Sequence, residues 1–180
     1  MFAVCDCLRA FKKLHFTLPI FEANLGYALV NTGLFINNEF LSATGGSVLD
    51  VENPSTGETL ASVSAATKED VDNAVDAAKA AFREWKTGSP ALRGKLLNHL
   101  ADLIEQDAED LASLQSLEVG TLFGDAKGLD VPQAVETLRY FAGWADKITG
   151  QLLSTPQGRA YTQRDPLGVC AAIIPWNAPL

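Results

Sequence analysis

Short apolar runs alternate with polar turns along residues 34–63. Leu34-Phe35-Ile36 ends in Asn37-Asn38, and the runs 48–52 and 59–63 flank the segment Asn53-Pro54-Ser55-Thr56-Gly57-Glu58. Proline fixes φ and glycine supplies a positive φ in such a segment, so the pattern predicts strand, turn and strand. We expect a small β-meander with a structural role, because the turn carries no catalytic pair of side chains.

From residue 67 the apolar residues recur at helical spacing. Thr67 and Asp70 resemble a capping box at the start of a first helix, and Ser89-Pro90 offers an N-cap with proline in the first turn of a second helix. A third helix follows to about residue 117, and a fourth runs from about residue 131 to 148. Their apolar stripes are predicted to form the core, and so is an aromatic cluster on the fourth helix, Tyr140, Phe141 and Trp144.

The pattern changes again after residue 150. Residues 150–165, with Pro156-Gln157-Gly158 at the centre, are predicted to form an antiparallel hairpin, a candidate oligomer contact. Residues 169–174 are a continuous apolar run without alternation, which is typical of a buried parallel strand. Cys170 lies inside this run, so its thiol is expected to be buried and inert. The predicted fold class is therefore α/β.

Composition and charge restrict the partners. The chain has 180 residues, of which 47% are hydrophobic, and a formal net charge of -8. An acidic protein of this kind repels phosphate backbones and anionic headgroups, so neither nucleic acid nor membrane is an expected partner. The sequence contains no run of about eighteen apolar residues, so no membrane-spanning helix is predicted.

Cysteine and histidine usage argues against metal binding. The three cysteines are an odd number without a disulfide framework, which suggests a reducing compartment, and the two histidines are far apart. We therefore predict no metal site and a cytoplasmic location. Arg9, Lys12 and Lys13 leave a mitochondrial presequence as the alternative, which Asp6 and Glu22 disfavour.

The most informative position follows the apolar run 169–174. Ligands of open α/β sheets bind beyond the carboxyl ends of parallel strands, and Pro175-Trp176-Asn177 stands at that place. There is no glycine-rich phosphate loop, nucleophile elbow or P-loop in the sequence. From spacing alone, Asn177 is a turn residue between two prolines, and the chain is part of an α/β enzyme.

Several blocks in order resemble the aldehyde dehydrogenase family, which uses NAD(P). Pro166-Leu167-Gly168-Val169-Cys170 and Ile173-Ile174-Pro175-Trp176-Asn177 resemble the opening of its cofactor domain, and further blocks lie at residues 35–39, 53–58, 68–71, 100–105 and 138–147. The resemblance covers residues 34–180 and implies the amino-terminal part of that fold, truncated within its Rossmann-like cofactor domain. That part comprises the β-meander, the helical group, an oligomerisation hairpin at 150–165 and the first cofactor-domain strand at 169–174. Residues 1–33 form an unmatched amino-terminal extension.

The resemblance assigns roles to five residues. It implies that Ile173, Ile174, Pro175 and Trp176 line the nicotinamide side of a cleft for NAD or NADP, and that Asn177 donates a hydrogen bond to the oxyanion. In this chemistry a cysteine thiolate attacks the aldehyde, hydride passes to the nicotinamide, and a general-base glutamate activates water to release the acid. The catalytic cysteine and the glutamate are expected beyond Leu180, so we expect this chain to be inactive alone.

The sequence leaves three interpretations open. The chain is the front part of an enzyme that oxidises aldehydes to carboxylic acids with NAD(P), whether through an incomplete gene model or a broken chain. Alternatively it is a non-catalytic protein that forms a homo-oligomer or associates with full-length homologues. A third interpretation is a redox or binding module built on Cys5 and Cys7.

Overall fold

A computed structural model describes residues 30–180. The predictions that concern Cys5, Cys7, the candidate presequence and most of the extension 1–33 therefore lie outside the described residues. The strands pair as three antiparallel hairpins: β1 (Leu34–Ile36) with β2 (Glu39–Leu41), β3 (Val48–Glu52) with β4 (Thr59–Ser64), and β5 (Leu152–Thr155) with β6 (Gly158–Tyr161).

The helices lie between the second and third hairpins. They are α1 (Lys68–Trp85), α2 (Pro90–Gln106), α3 (Ala108–Val119), the single turn α4 (Phe123–Asp125) and α5 (Val131–Trp144), with a π-helical turn at Ala126–Asp130. The helical group predicted from the apolar spacing is therefore present, although α5 ends before Ile148. The predicted hairpin within 150–165 is present as well.

The predicted β-meander is divided into two separate hairpins. Among the strands of residues 30–180, β1 pairs only with β2, and β3 only with β4. The linker between β2 and β3 is drawn to α1 instead, because the backbone N–H and the hydroxyl of Thr44 both donate to the carboxylate of Asp70. Asp50 accepts a hydrogen bond from Ser62 across the β3–β4 pair.

The turn between β3 and β4 forms as the sequence predicts. The N–H of Asn53 donates to the carbonyl of Glu58 at 2.8 Å, and the N–H of Gly57 donates to the carbonyl of Asn53 at 2.8 Å. The Asn53 side chain accepts from the N–H of Ser55, which is the local bond that makes asparagine favourable in turns. Gly57 has a φ of 73°, the left-handed conformation that a glycine tolerates best.

Asp70 joins the β region to the helical group. The Thr67 side chain accepts from the N–H of Asp70, and the Asp70 carboxylate accepts from the N–H of Thr67, so the predicted capping box is present. The same carboxylate receives both Thr44 donors and is only 5% exposed. It lies in the first turn of α1, where a negative charge interacts favourably with the helix dipole.

The helices pack in two groups. α2 and α5 cross closely at Gly94, and Arg139 of α5 donates to Asp102 and Glu105 of α2 at the exposed margin of this pair. Around α3, a small core combines buried residues with partly buried neighbours: Ala112, Ala126 and Val131 with Ile104, Ala108 and Leu111. Small side chains dominate both contacts, so the helix backbones approach each other closely.

Gly94→Ala is expected to lower the free energy of unfolding by about 1–3 kcal/mol, as overpacking substitutions do. A Cβ at this position would lie 2.8 Å from the Ala142 carbonyl oxygen of α5, so the two backbones must separate. The matched control is Gly143→Ala on α5, where an added Cβ meets nothing within 4 Å. Urea unfolding of both variants measures the difference; equal stabilities would contradict the close contact.

Asp70→Asn is expected to remove a contribution to stability that is present at neutral pH and lost in acid. The hydrogen bonds from the Thr44 hydroxyl, and then from the Thr67 backbone, lower the pKa of Asp70 from 3.8 to about 2. Because the folded-state pKa is the lower one, the carboxylate stabilises the fold above pH 3.8, and this contribution is lost as the pH falls through about 2.

The measurement is the thermal midpoint between pH 7 and pH 2. The parent midpoint should fall more steeply with acid than that of Asp70→Asn, and the two curves should converge at the lowest pH. Asp76→Asn, at an exposed position of α1 that pairs with Lys79, is the control and should follow the parent. Parallel curves for the parent and Asp70→Asn would disprove the role of this carboxylate.

Candidate functional site

The predicted strand 169–174 is not formed. After β6 no further helix or strand occurs among the described residues, and residues 169–174 take part in no strand pairing. A strand exists through hydrogen bonds to a neighbour, and the three hairpins leave no strand beside this segment. The apolar run 169–174 thus has the pattern of a buried strand, but no strand within residues 30–180 lies beside it to pair with it.

The predicted cofactor residues are exposed for the same reason. Ile173 is 100% exposed and Trp176 is 85% exposed, and Ile174 and Pro175 are exposed beside them. A dinucleotide site encloses its ligand and places the pyrophosphate at a helix amino terminus. These four consecutive residues do not form a dinucleotide pocket on their own.

Asn177 lies in an exposed turn. The N–H of Ala178 donates to the carbonyl of Pro175 at 3.4 Å, which closes the turn around Trp176 and Asn177. Within residues 30–180 the carboxamide of Asn177 makes no hydrogen bond, so its N–H donors point to no internal partner. The turn expected from the asparagine and prolines is present, and the amide is available to an external acceptor.

Cys170 is not buried, contrary to the prediction. It is an exposed free cysteine whose thiol lies 3.7 Å from the carbonyl oxygen of Gly168. The prediction of burial depended on a strand covered on both faces, and that strand is absent here. Within residues 30–180, no histidine or carboxylate forms a hydrogen bond with the thiol as an activating base would. The described part of the chain also holds no group of three or more His, Cys, Asp or Glu side chains placed to bind a metal.

Two apolar surfaces are exposed away from this turn. Tyr140, Phe141 and Trp144 on α5 contact one another, with ring centroids 5.2 and 6.4 Å apart for the two pairs that involve Tyr140, but all three remain exposed. Their prediction as core residues is wrong for this chain, because α5 packs on α2 through its opposite side. On the hairpin, Leu152 and Tyr161 are opposite each other and Tyr161 is 80% exposed.

A polar residue in the α3 core had not been predicted. Gln115 is buried, and its side chain donates to Asp130. A signal was present in the sequence, since Ala108, Leu111, Ala112 and Gln115 follow the i, i+3, i+4, i+7 spacing of one helix face.

None of the helices described for residues 30–180 has the length and apolar character needed to cross a membrane.

Comparison with known proteins finds aldehyde dehydrogenases among the relatives. The profile of the aldehyde dehydrogenase family matches residues 40–180. An aldehyde dehydrogenase from Alternaria alternata is 52% identical over 151 residues, which cover 83% of this chain and 30% of that protein. Cytosolic aldehyde dehydrogenase 1 from Mus musculus is 46% identical over 167 residues, with 91% of this chain and 33% of that protein covered.

Solved structures agree with these relatives. PnpE from Pseudomonas sp. WBC-3 is 45% identical with a TM-score of 0.80, and the alignment covers 84% of this chain and 31% of the PnpE chain. The indole-3-acetaldehyde dehydrogenase AldA from P. syringae, solved with NAD+, is 36% identical with a TM-score of 0.76, covering 81% and 30%. The chain spans about 30% of the length of these proteins. The predicted fold class is confirmed, and the chain belongs to the aldehyde dehydrogenase family.

Proposed function

We propose that this chain forms part of an enzyme that oxidises aldehydes to carboxylic acids with NAD or NADP. The observation that carries the proposal is the family match over residues 40–180, which includes the turn at Asn177. Because the chain spans about 30% of its relatives, the activity is proposed for an assembly or a longer chain in which this part is completed.

Asn177 is proposed to donate a hydrogen bond to the oxyanion. Negative charge develops on the aldehyde oxygen when a nucleophile adds to the carbonyl carbon, and an N–H donor fixed in place stabilises it. The turn closed by Pro175 and Ala178 holds the Asn177 backbone. None of the described residues forms a hydrogen bond with the Asn177 carboxamide. Both features support a donor that is available to substrate.

Ile173, Ile174, Pro175 and Trp176 are proposed to line the nicotinamide side of the cofactor cleft. PnpE has been solved with nicotinamide adenine dinucleotide and AldA with NAD+, which supports a nicotinamide cofactor here. When bound, the cofactor accepts the hydride from the substrate. The exposure of these four residues is compatible with further walls supplied from outside residues 30–180.

The nucleophile and the general base are likewise expected from outside the described residues. Cys170 is an exposed thiol whose hydrogen-bond partner among residues 30–180 is the Gly168 carbonyl, with no base beside it in that part of the chain. A thiol is activated by a base or a positive environment, and a carbonyl oxygen supplies neither. We therefore do not assign the chemistry to Cys170.

Asn177→Ala is expected to lower kcat by about 10²–10³-fold, because removal of one oxyanion donor costs roughly 3 kcal/mol. The assay uses a chimera in which residues 40–180 replace the matching segment of the Alternaria alternata relative, which is 52% identical. NAD affinity should stay close to the parent value, since the donor acts on the substrate. Asn98→Ala, an exposed amide on α2, is the matched control.

Two outcomes would contradict the proposal. A chimera that folds and binds NAD but oxidises no aldehyde would contradict the function, and equal kcat for Asn177→Ala and the parent would return Asn177 to a turn residue. The 180-residue chain, assayed alone with NAD or NADP and aliphatic and aromatic aldehydes, should give no reduced cofactor. Turnover that disappears in Cys170→Ser would show that the nucleophile had been missed.

A second role is association with a further copy of this chain or with full-length homologues. The observation that favours it is the exposed β5–β6 hairpin, whose strands are open on both outer edges and carry Leu152 and Tyr161 on one face. Open strand edges and exposed apolar side chains favour pairing with another chain. This role is compatible with the enzymatic one.

Leu152→Lys combined with Tyr161→Ser is expected to shift the chain towards monomer. The two substitutions remove the apolar pair from the hairpin face, where the residues lie opposite each other. Light scattering coupled to size exclusion measures the mass, and Gln157→Lys at the exposed turn is the control. An unchanged mass distribution for the double variant, or a parent chain that is already monomeric, would exclude the hairpin as the contact.

A further inference from the structure

The π-helical turn Ala126–Asp130 is the least regular part of the helical group. The N–H of Val131 donates to the carbonyl of Ala126, five residues earlier, whereas an α-helix would pair it with Lys127. Such turns hold one more residue than an α-helical turn. They are rare and occur frequently at functional sites, so a specific contact that maintains one is of interest.

Gln115 of α3 makes that contact. Its side chain is 3% exposed, its amide nitrogen donates to the Asp130 carboxylate, and its amide oxygen has no partner within the described part of the chain. Buried polar atoms are nearly always hydrogen-bonded. A half-satisfied amide is therefore retained in this core although an apolar residue of the same size would avoid the unpaired oxygen.

The remaining contacts between α3 and the turn are less specific. Lys127 lies 3.2 Å from Glu109 of α3, but both side chains are largely exposed, and such ion pairs contribute little. Ala126 and Val131 pack against Ala112 at the two ends of the turn, yet apolar packing does not select one hydrogen-bonding register. The Gln115–Asp130 bond joins α3 to the last residue of the π-helical turn at one fixed position.

A change in the hydrogen-bonding register of the turn would reorient exposed apolar side chains. If the turn became α-helical, the residues before it would rotate by about 100° relative to α5, since each residue of a helix turns by that angle. Leu122, Phe123 and Leu129 lie on or beside the turn and are exposed. The register of residues 126–130 therefore sets the direction in which these side chains face.

We propose that the Gln115–Asp130 hydrogen bond is a latch that holds residues 126–130 in the π-helical register. Release of the latch lets the turn exchange with an α-helical register and reorients Leu122 and Phe123. This conformational device is independent of the oxyanion and cofactor roles proposed above, because it involves none of their residues.

Hydrogen–deuterium exchange of the 180-residue chain, read by mass spectrometry with residue-level fragmentation, tests the latch and tolerates an associated sample. Interconversion of the two registers breaks every hydrogen bond of the turn, so amide exchange reports it. Gln115→Leu and Asp130→Leu remove the donor and the acceptor and should each speed exchange of amides 127–131 at least tenfold. Asp130→Asn keeps an acceptor oxygen and should exchange no faster than the parent.

Gln133→Leu, at an exposed position of α5, is the matched control and should leave exchange unchanged. Parent-like exchange in Gln115→Leu and Asp130→Leu would overturn the latch. Equal acceleration in Asp130→Asn and Asp130→Leu would also overturn it, because the hydrogen bond would then not be the feature that matters. The Asp130 pair keeps the test valid if Gln115→Leu disturbs α3 as a whole, since Asp130 is only partly buried.

Discussion

The close crossing of α2 and α5 determines which surfaces of this chain are covered. Gly94 allows the α2 backbone to reach the Ala142 carbonyl, so α5 buries the side that carries Ala142 and turns its aromatic residues outward. Arg139 also bridges this pair at its exposed margin through Asp102 and Glu105. A helix that buries one stripe must expose the opposite one, and on α5 that opposite stripe is apolar.

The exposed apolar residues of the hairpin β5–β6 and of the segment 169–174 share a physical cause. Strand hydrogen bonds and sheet packing require a neighbour, and both the hairpin β5–β6 and the segment 169–174 lack one in the described chain. The same lack explains why Cys170 is accessible and why Ile173 and Trp176 face solvent. These exposed residues are typical of a chain whose apolar surfaces are covered by other chain segments or by a partner. Both proposed roles are based on this exposure.

The polar contacts inside the fold act at junctions between elements. Asp70 collects donors from the β2–β3 linker and from the start of α1, and Gln115 joins α3 to the π-helical turn. In each case a buried polar group selects one geometry among several that apolar packing would allow. Asp70 and Gln115 therefore each supply side-chain hydrogen bonds at one of these junctions.

The amino-acid sequence by itself determined the local elements and the family. Thr67 and Asp70, Pro90 in the first turn of α2 and the Asn53–Gly57 turn act through neighbours in sequence, so these helix starts and this turn could be predicted. The ordered blocks around Pro175-Trp176-Asn177 identified the family. The tertiary structure decided what each apolar run contacts. Residues 169–174 form no strand, and Tyr140, Phe141 and Trp144 are exposed, because burial depends on partners distant in sequence. The Thr44–Asp70 and Gln115–Asp130 bonds could not be predicted, since each joins residues that only the folded chain brings together.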